Sequence, residues 1–254
     1  MTRIYTIDNL SAAAFTLAPP PASTALYFAA PSKVAEVFAA GACEAALLPT
    51  ASLPKLGILA DPLPYGIACT GAVGSVLLLA NMPLARLVLY REPVAITTKS
   101  ATSRELFRLL CRQKWGKEPV LVEDTAAPAA RLLIGNEAVS RGALDEFAFR
   151  YDLGEWWYRR MRLPFVFAQW VTRRGLSSRS RREIEHWIEH CASTAESATG
   201  QERLVRANLP PGWDPPAARR YYARLRPRLT HADVQGQALF LRLLREIAPC
   251  GKVA

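Results

Sequence analysis

The chain alternates short apolar runs with segments of helical periodicity, and this alternation restricts its fold more than any other feature. Three of the runs are "CEAALLPT" (residues 43–50), "SVLLLA" (75–80) and "LPFVFAQW" (163–170). Runs of this length that are bounded by glycine, proline or polar residues indicate buried strands. Because helix patterns lie between them, an α/β fold is favoured. The 254 residues suffice for one large domain or two small ones.

The helix patterns have recognisable ends. Residues 31–41 have Ser32 as a candidate N-cap and Gly41 as the terminating residue. Residues 102–113 are amphipathic, with Thr102 or Ser103 as the natural N-cap. Further helices are predicted over residues 180–192, 217–225 and 233–247. Further strands are predicted over residues 3–7, over 119–123, and from 131 into a polar turn at residues 135–136.

The net charge of +10 is unevenly distributed along the chain. Residues 1–90 contain four basic and four acidic side chains, residues 91–164 contain 13 and 10, and residues 165–254 contain 15 and 8. This basic excess suits an anionic partner, either a polyanion or a small carboxylate or phosphate, and it equally suits a solvated surface. The nucleic-acid candidate is "RRGLSSRSRR" (173–182), but no aromatic residue lies inside it. A basic helix start on a solvated face is therefore favoured.

Cysteine and histidine usage argues against a disulfide framework and against a metal centre. The five cysteines are odd in number and include no Cys-x-x-Cys, which indicates reduced thiols. His186, His190 and Cys191 share a predicted helix, but no fourth ligand has a recognisable spacing. Residues 10–23 resemble part of a signal peptide, yet Asp8 and Asn9 interrupt the run, so a mature N-terminus is expected. No apolar run reaches the length of a membrane span.

Four polar loops are candidate binding positions, namely residues 8–11, 70–75, 100–103 and 135–136. Free N–H groups at a helix start and hydroxyl caps bind anions, and ligands of open sheets lie beyond strand ends. Each loop alone is weak evidence, because most Ser and Thr caps are structural. Gly-x-Ser-x-Gly, P-loop, Gly-x-Gly-x-x-Gly and His-Glu-x-x-His motifs do not occur. Any chemistry would therefore use positioned polar groups and the reactivity of the substrate.

Several segments have a familiar order and spacing. They are "GACEAALLPTASL" (41–53), "GAVGSVLLLANMPLARL" (71–87), "TTKSATSRELFRLL" (97–110), "LLIGNEAV" (132–139), "YDLGEWWYRRMRLPFVFAQW" (151–170) and "YYARLRPRLTHADVQGQALFLRLL" (221–244). Together they resemble the chorismate dehydratase family, which catalyses the first step of the futalosine route to menaquinone. The resemblance runs nearly end to end. Its most specific parts are the Leu-Ile-Gly-Asn-Glu-Ala turn and the Asp-Leu-Gly…Leu-Pro-Phe-Val-Phe-Ala-x-Trp segment.

The resemblance implies a two-lobed type II periplasmic-binding-protein-like α/β fold with a ligand cleft between the lobes. Lobe I would comprise residues 1–85 and 165–254, and lobe II residues 86–164, so that the run 163–170 returns to lobe I. The family works in the cytoplasm without a metal or organic cofactor. It converts chorismate to 3-[(1-carboxyvinyl)oxy]benzoate by loss of water. The implied partner is this small dianionic substrate, and neither nucleic acid nor a membrane span is expected.

The resemblance also implies site residues. The implied substrate-binding residues are Thr50, Ser75, Ser100, Thr102, Ser103, Gly135 and Asn136. The catalytic candidates are Ser11, which aligns with an Asn of the family's first loop, and Asn9, two residues earlier. The family's Thr-Gly before Leu-Pro-Phe is Met161–Arg162 here, and Arg159, Arg160 and Arg162 are expected to lie near a hinge beside an anion site. Because no protein base is evident, the hypothesis is that the enolpyruvyl carboxylate of the substrate serves as the base.

Two other functions stay open at this point. One is a non-catalytic binding protein of the same fold for another small carboxylate. The other is the later 1,4-dihydroxy-6-naphthoate synthase of the same pathway, whose Ser-Pro-Cys-Pro-Asn-Asp-Thr-Phe loop is missing after the first strand.

Overall fold

Two mixed β-sheets with flanking helices make up the fold. The computed structural model describes residues 1–96, 101–123, 128–139 and 146–247. The strands of the described residues are β1 (Thr2–Ile7), β2 (Thr24–Ala29), β3 (Ala45–Pro49), β4 (Ala60–Cys69), β5 (Val76–Ala80), β6 (Pro93–Ile96), β7 (Val120–Glu123), β8 (Ala130–Ile134), β9 (Phe149–Asp152), β10 (Phe165–Arg173) and β11 (Arg226–Arg228).

The helices lie between and after these strands. They are α1 (Pro31–Ala39), α2 (Leu53–Leu56), α3 (Leu84–Leu89), α4 (Ala101–Trp115), α5 (Gly135–Val139), α6 (Leu153–Met161), α7 (Ser178–Glu196), α8 (Ala198–Ala207), α9 (Pro215–Tyr222) and α10 (His231–Ile247). Two 3-10 helices follow β1 and β3, at Leu10–Thr16 and Thr50–Ser52. In the part of the chain that the structure describes, no helix is both long and apolar enough to cross a membrane.

The first sheet has the strand order β11-β4-β10-β3-β1-β2, and the second has β7-β6-β8-β5-β9. In the first sheet, β1 runs parallel to β2 and β3, whereas β10 runs antiparallel to β3 and β4. The chain leaves this sheet after β4, forms the second sheet, and returns through β10. The predicted return strand is therefore confirmed, with observed bounds Phe165–Arg173.

Strand β10 is buried on both faces because other elements cover each face of the first sheet. The Trp170 ring is fully buried and makes edge contacts with Phe15 at 5.5 Å and Trp187 at 5.7 Å between ring centroids. Gln169, the polar residue of the apolar run, donates a 2.9 Å hydrogen bond to the Leu63 carbonyl and accepts one of 2.9 Å from Gln237. Its amide is satisfied inside the core, as most buried polar groups are.

The structure differs from the sequence predictions at several points. Gly135 does not lie in a polar turn but opens the short helix α5. Helix α9 begins at Pro215 rather than at residue 217, since proline fits the first helical positions and Asp214 caps the Ala217 N–H at 2.6 Å. Strand β5 belongs to the second sheet, whereas the predicted boundary at residue 85 assigned it to lobe I. That division into lobes otherwise stays a prediction.

Candidate functional site

A cleft lies between the two sheets, where the polar loops of both meet. Its empty space is about 490 Å³ when the open mouth is included. The lining residues are Ile7, Asn9, Ser11, Pro31, Pro49, Ile67, Val73, Ser75, Val76, Ala101, Thr102, Ser103, Ile134, Gly135, Phe167 and Ala168. None of these described lining residues has an ionisable side chain. The predicted residue Ser100 and its neighbour Lys99 lie outside the described residues.

The first loop brings both catalytic candidates to the cleft wall. Asn9 is the N-cap of the first 3-10 helix, and its Oδ1 atom accepts hydrogen bonds from the Ser11 N–H at 3.1 Å and the Ser11 hydroxyl at 2.5 Å. The two side chains are therefore joined by a hydrogen bond, and the family's Asn position cannot be assigned to one of them alone. An alignment of sequences does not reveal this contact. Among the hydrogen bonds of the described residues, none is donated by the Asn9 side-chain amide, so its N–H groups are available to a ligand.

Residues of the second sheet meet this first loop across the cleft. A Cβ atom at Gly135, where φ is +54°, would lie 3.0 Å from the Asn9 Cβ atom, so a side chain would crowd the loop. The Gly135 N–H also donates a 2.8 Å hydrogen bond to the Ser75 carbonyl. Asn136 is exposed at the mouth, and its Oδ1 atom accepts a 3.0 Å hydrogen bond from the Leu10 N–H. Asn136 thus ties the two sides of the cleft together and is not part of its lining.

The start of α4 supplies the hydroxyls predicted for the substrate. Because α4 begins at Ala101, Thr102 and Ser103 lie in its first turn, which corrects the prediction that one of them is the N-cap. The Thr102 hydroxyl accepts a 3.2 Å hydrogen bond from the Ala51 N–H, which holds the side chain in place. The positive end of this 15-residue helix faces the cleft and favours negative charge there.

Thr50, by contrast, does not reach the cleft. Its side chain is fully buried, and its hydroxyl donates a 2.7 Å hydrogen bond to the Val166 carbonyl. The hydroxyl thus fixes the turn after β3 against β10. A threonine after a strand end has the same local sequence pattern whether its hydroxyl lines a cleft or is buried against a neighbouring strand. The sequence context of Thr50 therefore could not distinguish the two positions.

The Asp-Leu-Gly motif fixes the loop that carries Ser75. The Asp152 carboxylate caps α6 by accepting from the N–H groups of Gly154 and Glu155, and it also accepts from Val73 at 3.1 Å and Gly74 at 2.6 Å. Burial raises the pKa of Asp152, and the four backbone donors oppose that rise. Gly154 is needed beside it, because a Cβ atom there would lie 2.7 Å from the Gly71 carbonyl oxygen.

The arginines of residues 159–162 and 173–182 lie away from the cleft lining. Arg162 is exposed in the left-handed conformation that ends α6, with φ of +57°. In the stretch 173–182, Arg179 and Arg181 pair with Glu183 and Glu185 on the first turns of α7. Arg173 donates to the carbonyls of Phe38 and Cys43. The described residues of the site would therefore bind the negative charge of a ligand through neutral hydrogen-bond donors and helix N-termini.

Comparison with known proteins adds a family and a fold. The model of a family described as menaquinone biosynthesis matches residues 5–246. A curated chorismate dehydratase from Thermus thermophilus is 34% identical over 140 residues, and this match covers 47% of the chain and 49% of that protein. The match thus spans about half the length of the curated relative.

Solved structures share the architecture at low sequence identity. Protein AF1704 from Archaeoglobus fulgidus has a TM-score of 0.69 at 14% identity, covering 96% of each chain. The alkanesulfonate-binding protein SsuA from Xanthomonas axonopodis pv. citri, bound to MOPS, has 0.61 at 15%, covering 96% of this chain and 93% of SsuA. A Candida albicans protein with the generic periplasmic binding protein fold has 0.57 at 9%, covering 99% and 92%. The predicted two-lobed, periplasmic-binding-protein-like α/β fold is confirmed.

Proposed function

Since the chain belongs to the menaquinone-biosynthesis family, we propose that it is a chorismate dehydratase, a carbon–oxygen lyase that converts chorismate to 3-[(1-carboxyvinyl)oxy]benzoate and water. One observation carries the proposal beyond the family. The cleft collects neutral hydrogen-bond donors from both lobes, and no ionisable side chain occurs among its described lining residues. Such a site suits a substrate that brings its own charge and its own base.

The two carboxylates of chorismate need donors that do not protonate them. Hydroxyls of Ser75, Thr102 and Ser103 and the amide of Asn9 can supply hydrogen bonds to carboxylate oxygens. The positive end of α4 adds electrostatic stabilisation without a fixed cationic side chain. Gly135 and Phe167 also line the cleft, and closure of the lobes over the bound dianion would limit its contact with water.

The reaction needs little covalent chemistry from the protein, because aromatisation of the ring drives it. We propose that the enolpyruvyl carboxylate of the substrate takes up the ring proton. The electron pair of the broken C–H bond completes the aromatic ring as the C–O bond to the hydroxyl breaks. The leaving hydroxide takes up that proton and departs as water. The donors of the cleft would orient the dianion and stabilise the charge on the leaving oxygen.

The direct test is incubation of the purified protein with chorismate, followed by ultraviolet absorbance and chromatography of the aromatic product. We expect turnover without added metal or organic cofactor. A chorismate analogue in which the enolpyruvyl carboxylate is removed should lose turnover far more than binding, and equal losses would contradict the role of that carboxylate as base. Saturable binding of a different carboxylate without turnover would instead favour a non-catalytic binding protein of the same fold.

The proposed reaction also gives a function to the two lobes. We propose that the lobes meet at residues 70–75 and 162–164, where the chain passes between the sheets, and that they close on the ligand by a hinge motion.

We further propose that the protein works in the cytoplasm. The buried free thiols of Cys43, Cys69, Cys111 and Cys191 support this, because they suit a reducing compartment.

Asn136 offers a test of closure that is separate from the chemistry. Replacing Asn136 by alanine removes the acceptor for the Leu10 N–H, so the first loop is held less firmly and kcat/KM for chorismate should fall about tenfold. Asn136→Asp keeps an oxygen acceptor at the start of the 3-10 helix, and we expect kcat/KM within about threefold of wild type. Steady-state kinetics of both variants check this. Wild-type kinetics of Asn136→Ala would show that the hydrogen bond between Asn136 and Leu10 does not contribute to closure.

A further inference from the structure

Ser75 differs from the other cleft hydroxyls because a fully buried phenol approaches it from behind. The Tyr221 hydroxyl donates a hydrogen bond of 3.1 Å to the Ser75 Oγ atom. Ser75 itself is only 2% exposed, and it lines the cleft. Among the hydrogen bonds of the described residues, none is donated by the Ser75 hydroxyl. The proton of the Ser75 hydroxyl is therefore available for a hydrogen bond to a ligand.

Tyr221 is held rigidly in α9. Its ring is 1% exposed and makes edge contacts with Trp213 and Tyr222 at 5.8 and 5.2 Å between centroids. The ring also packs under the loop before Ser75, since a Cβ atom at Gly74 would lie 3.6 Å from it. These contacts hold the ring in place while the phenol oxygen lies against Ser75.

The direction of the hydrogen bond follows from burial. Burial raises the pKa of the Tyr221 hydroxyl, so that the phenol stays neutral and keeps its proton. Among the hydrogen bonds of the described residues, the one that the Tyr221 hydroxyl donates goes to the Ser75 Oγ atom. If Ser75 donated to Tyr221 instead, the phenol proton would be buried without a partner, which is unfavourable. Tyr221 therefore donates, which leaves the Ser75 proton free to point towards the cleft that Ser75 lines.

We propose that Tyr221 is a positioning residue that aims the Ser75 hydroxyl proton at a carboxylate of the bound substrate. This inference rests on the proposed chorismate dehydratase function. A hydroxyl that already accepts a hydrogen bond is polarised and becomes a better donor to an anion. The pair thus provides a fixed donor for negative charge where the described lining has no cationic side chain.

The test compares two neighbouring tyrosines. Tyr221→Phe removes the hydrogen bond to Ser75 and keeps the ring. Tyr222→Phe is the matched control, because it also removes a buried hydroxyl, whose 2.7 Å hydrogen bond goes to the Asn208 carbonyl. We expect Tyr221→Phe to raise KM for chorismate about tenfold with a smaller change in kcat, since a ground-state contact is weakened. Tyr222→Phe should keep KM and kcat within about twofold of wild type.

A double-mutant cycle with Ser75→Ala separates positioning from general structural support. If Tyr221 acts through Ser75, Tyr221→Phe should change KM less than twofold once Ser75 is alanine. Additive losses, or equal effects of the two tyrosine variants, would overturn the proposal. Calorimetric measurement of Kd for chorismate distinguishes the two levels of inference. If the wild-type protein binds chorismate without turnover, the proposed reaction is contradicted. The positioning role of Tyr221 can then still be tested by comparing the Kd for chorismate of Tyr221→Phe with that of Tyr222→Phe.

Discussion

Replacing Asn9 by alanine is expected to lower kcat/KM for chorismate roughly a hundredfold, the loss typical of removing one preorganised donor at a reaction centre. The side chain caps the first 3-10 helix, orients Ser11 and packs on Gly135. Its free amide N–H groups face the substrate in our proposal. Ser11→Ala leaves the cap in place, so a smaller loss of about tenfold is expected. Steady-state turnover of both variants measures the difference.

The control for this experiment is Ser177→Ala, which removes an N-cap of α7 that accepts from the Ser180 N–H at 3.1 Å, away from the cleft lining. It should lose about 1 kcal/mol of stability, as cap removal typically does, without a change in kcat/KM. If neither Asn9→Ala nor Ser11→Ala affects turnover, the first loop does not contact the reacting substrate. Wild-type turnover of Asn9→Ala would also show that the hydrogen bond between the Ser11 hydroxyl and Asn9 is not needed for catalysis.

Replacing Asp152 by alanine should have the largest effect on stability. Four backbone N–H groups, from two separate segments, lose their acceptor at once. We expect the free energy of unfolding to fall by about 3 kcal/mol or more, because each buried donor left unsatisfied is costly. Turnover should fall as well, since the loop before Ser75 loses its attachment. Urea denaturation with kinetics below the transition measures both quantities.

Asp214→Ala is the matched comparison for Asp152. Its carboxylate also caps a helix, α9, but accepts from one N–H group only, that of Ala217 at 2.6 Å. Its loss should cost about 1 kcal/mol. Equal destabilisation in the two variants would mean that Asp152 acts only as a helix cap. A clearly larger loss for Asp152 supports its role in joining the Ser75 loop to α6.

The strands that were predicted correctly are those whose burial is visible in the local pattern. Strands β3 and β5 are continuous apolar runs, and β10 is apolar from Phe165 to Val171 apart from Gln169; runs of this kind indicate buried strands. Strand β4 was missed because its sequence "ADPLPYGIAC" contains two prolines and a glycine, which argue against a central strand. The pairing of β4 with β10 tolerates them through register shifts, and Gly66 allows the Ala168 carbonyl to approach closely.

The sequence by itself determined the α/β class, the return strand and the loops in which site residues lie, because these follow from periodicity and from local turn chemistry. Only the tertiary structure decided which hydroxyls reach the cleft. Thr50 and Thr102 have similar local settings, yet one donates to a core carbonyl and the other lines the cleft. Tyr221 meets Ser75 from 146 positions along the chain. Such contacts depend on the packing of two sheets and a distant helix, which no local pattern encodes.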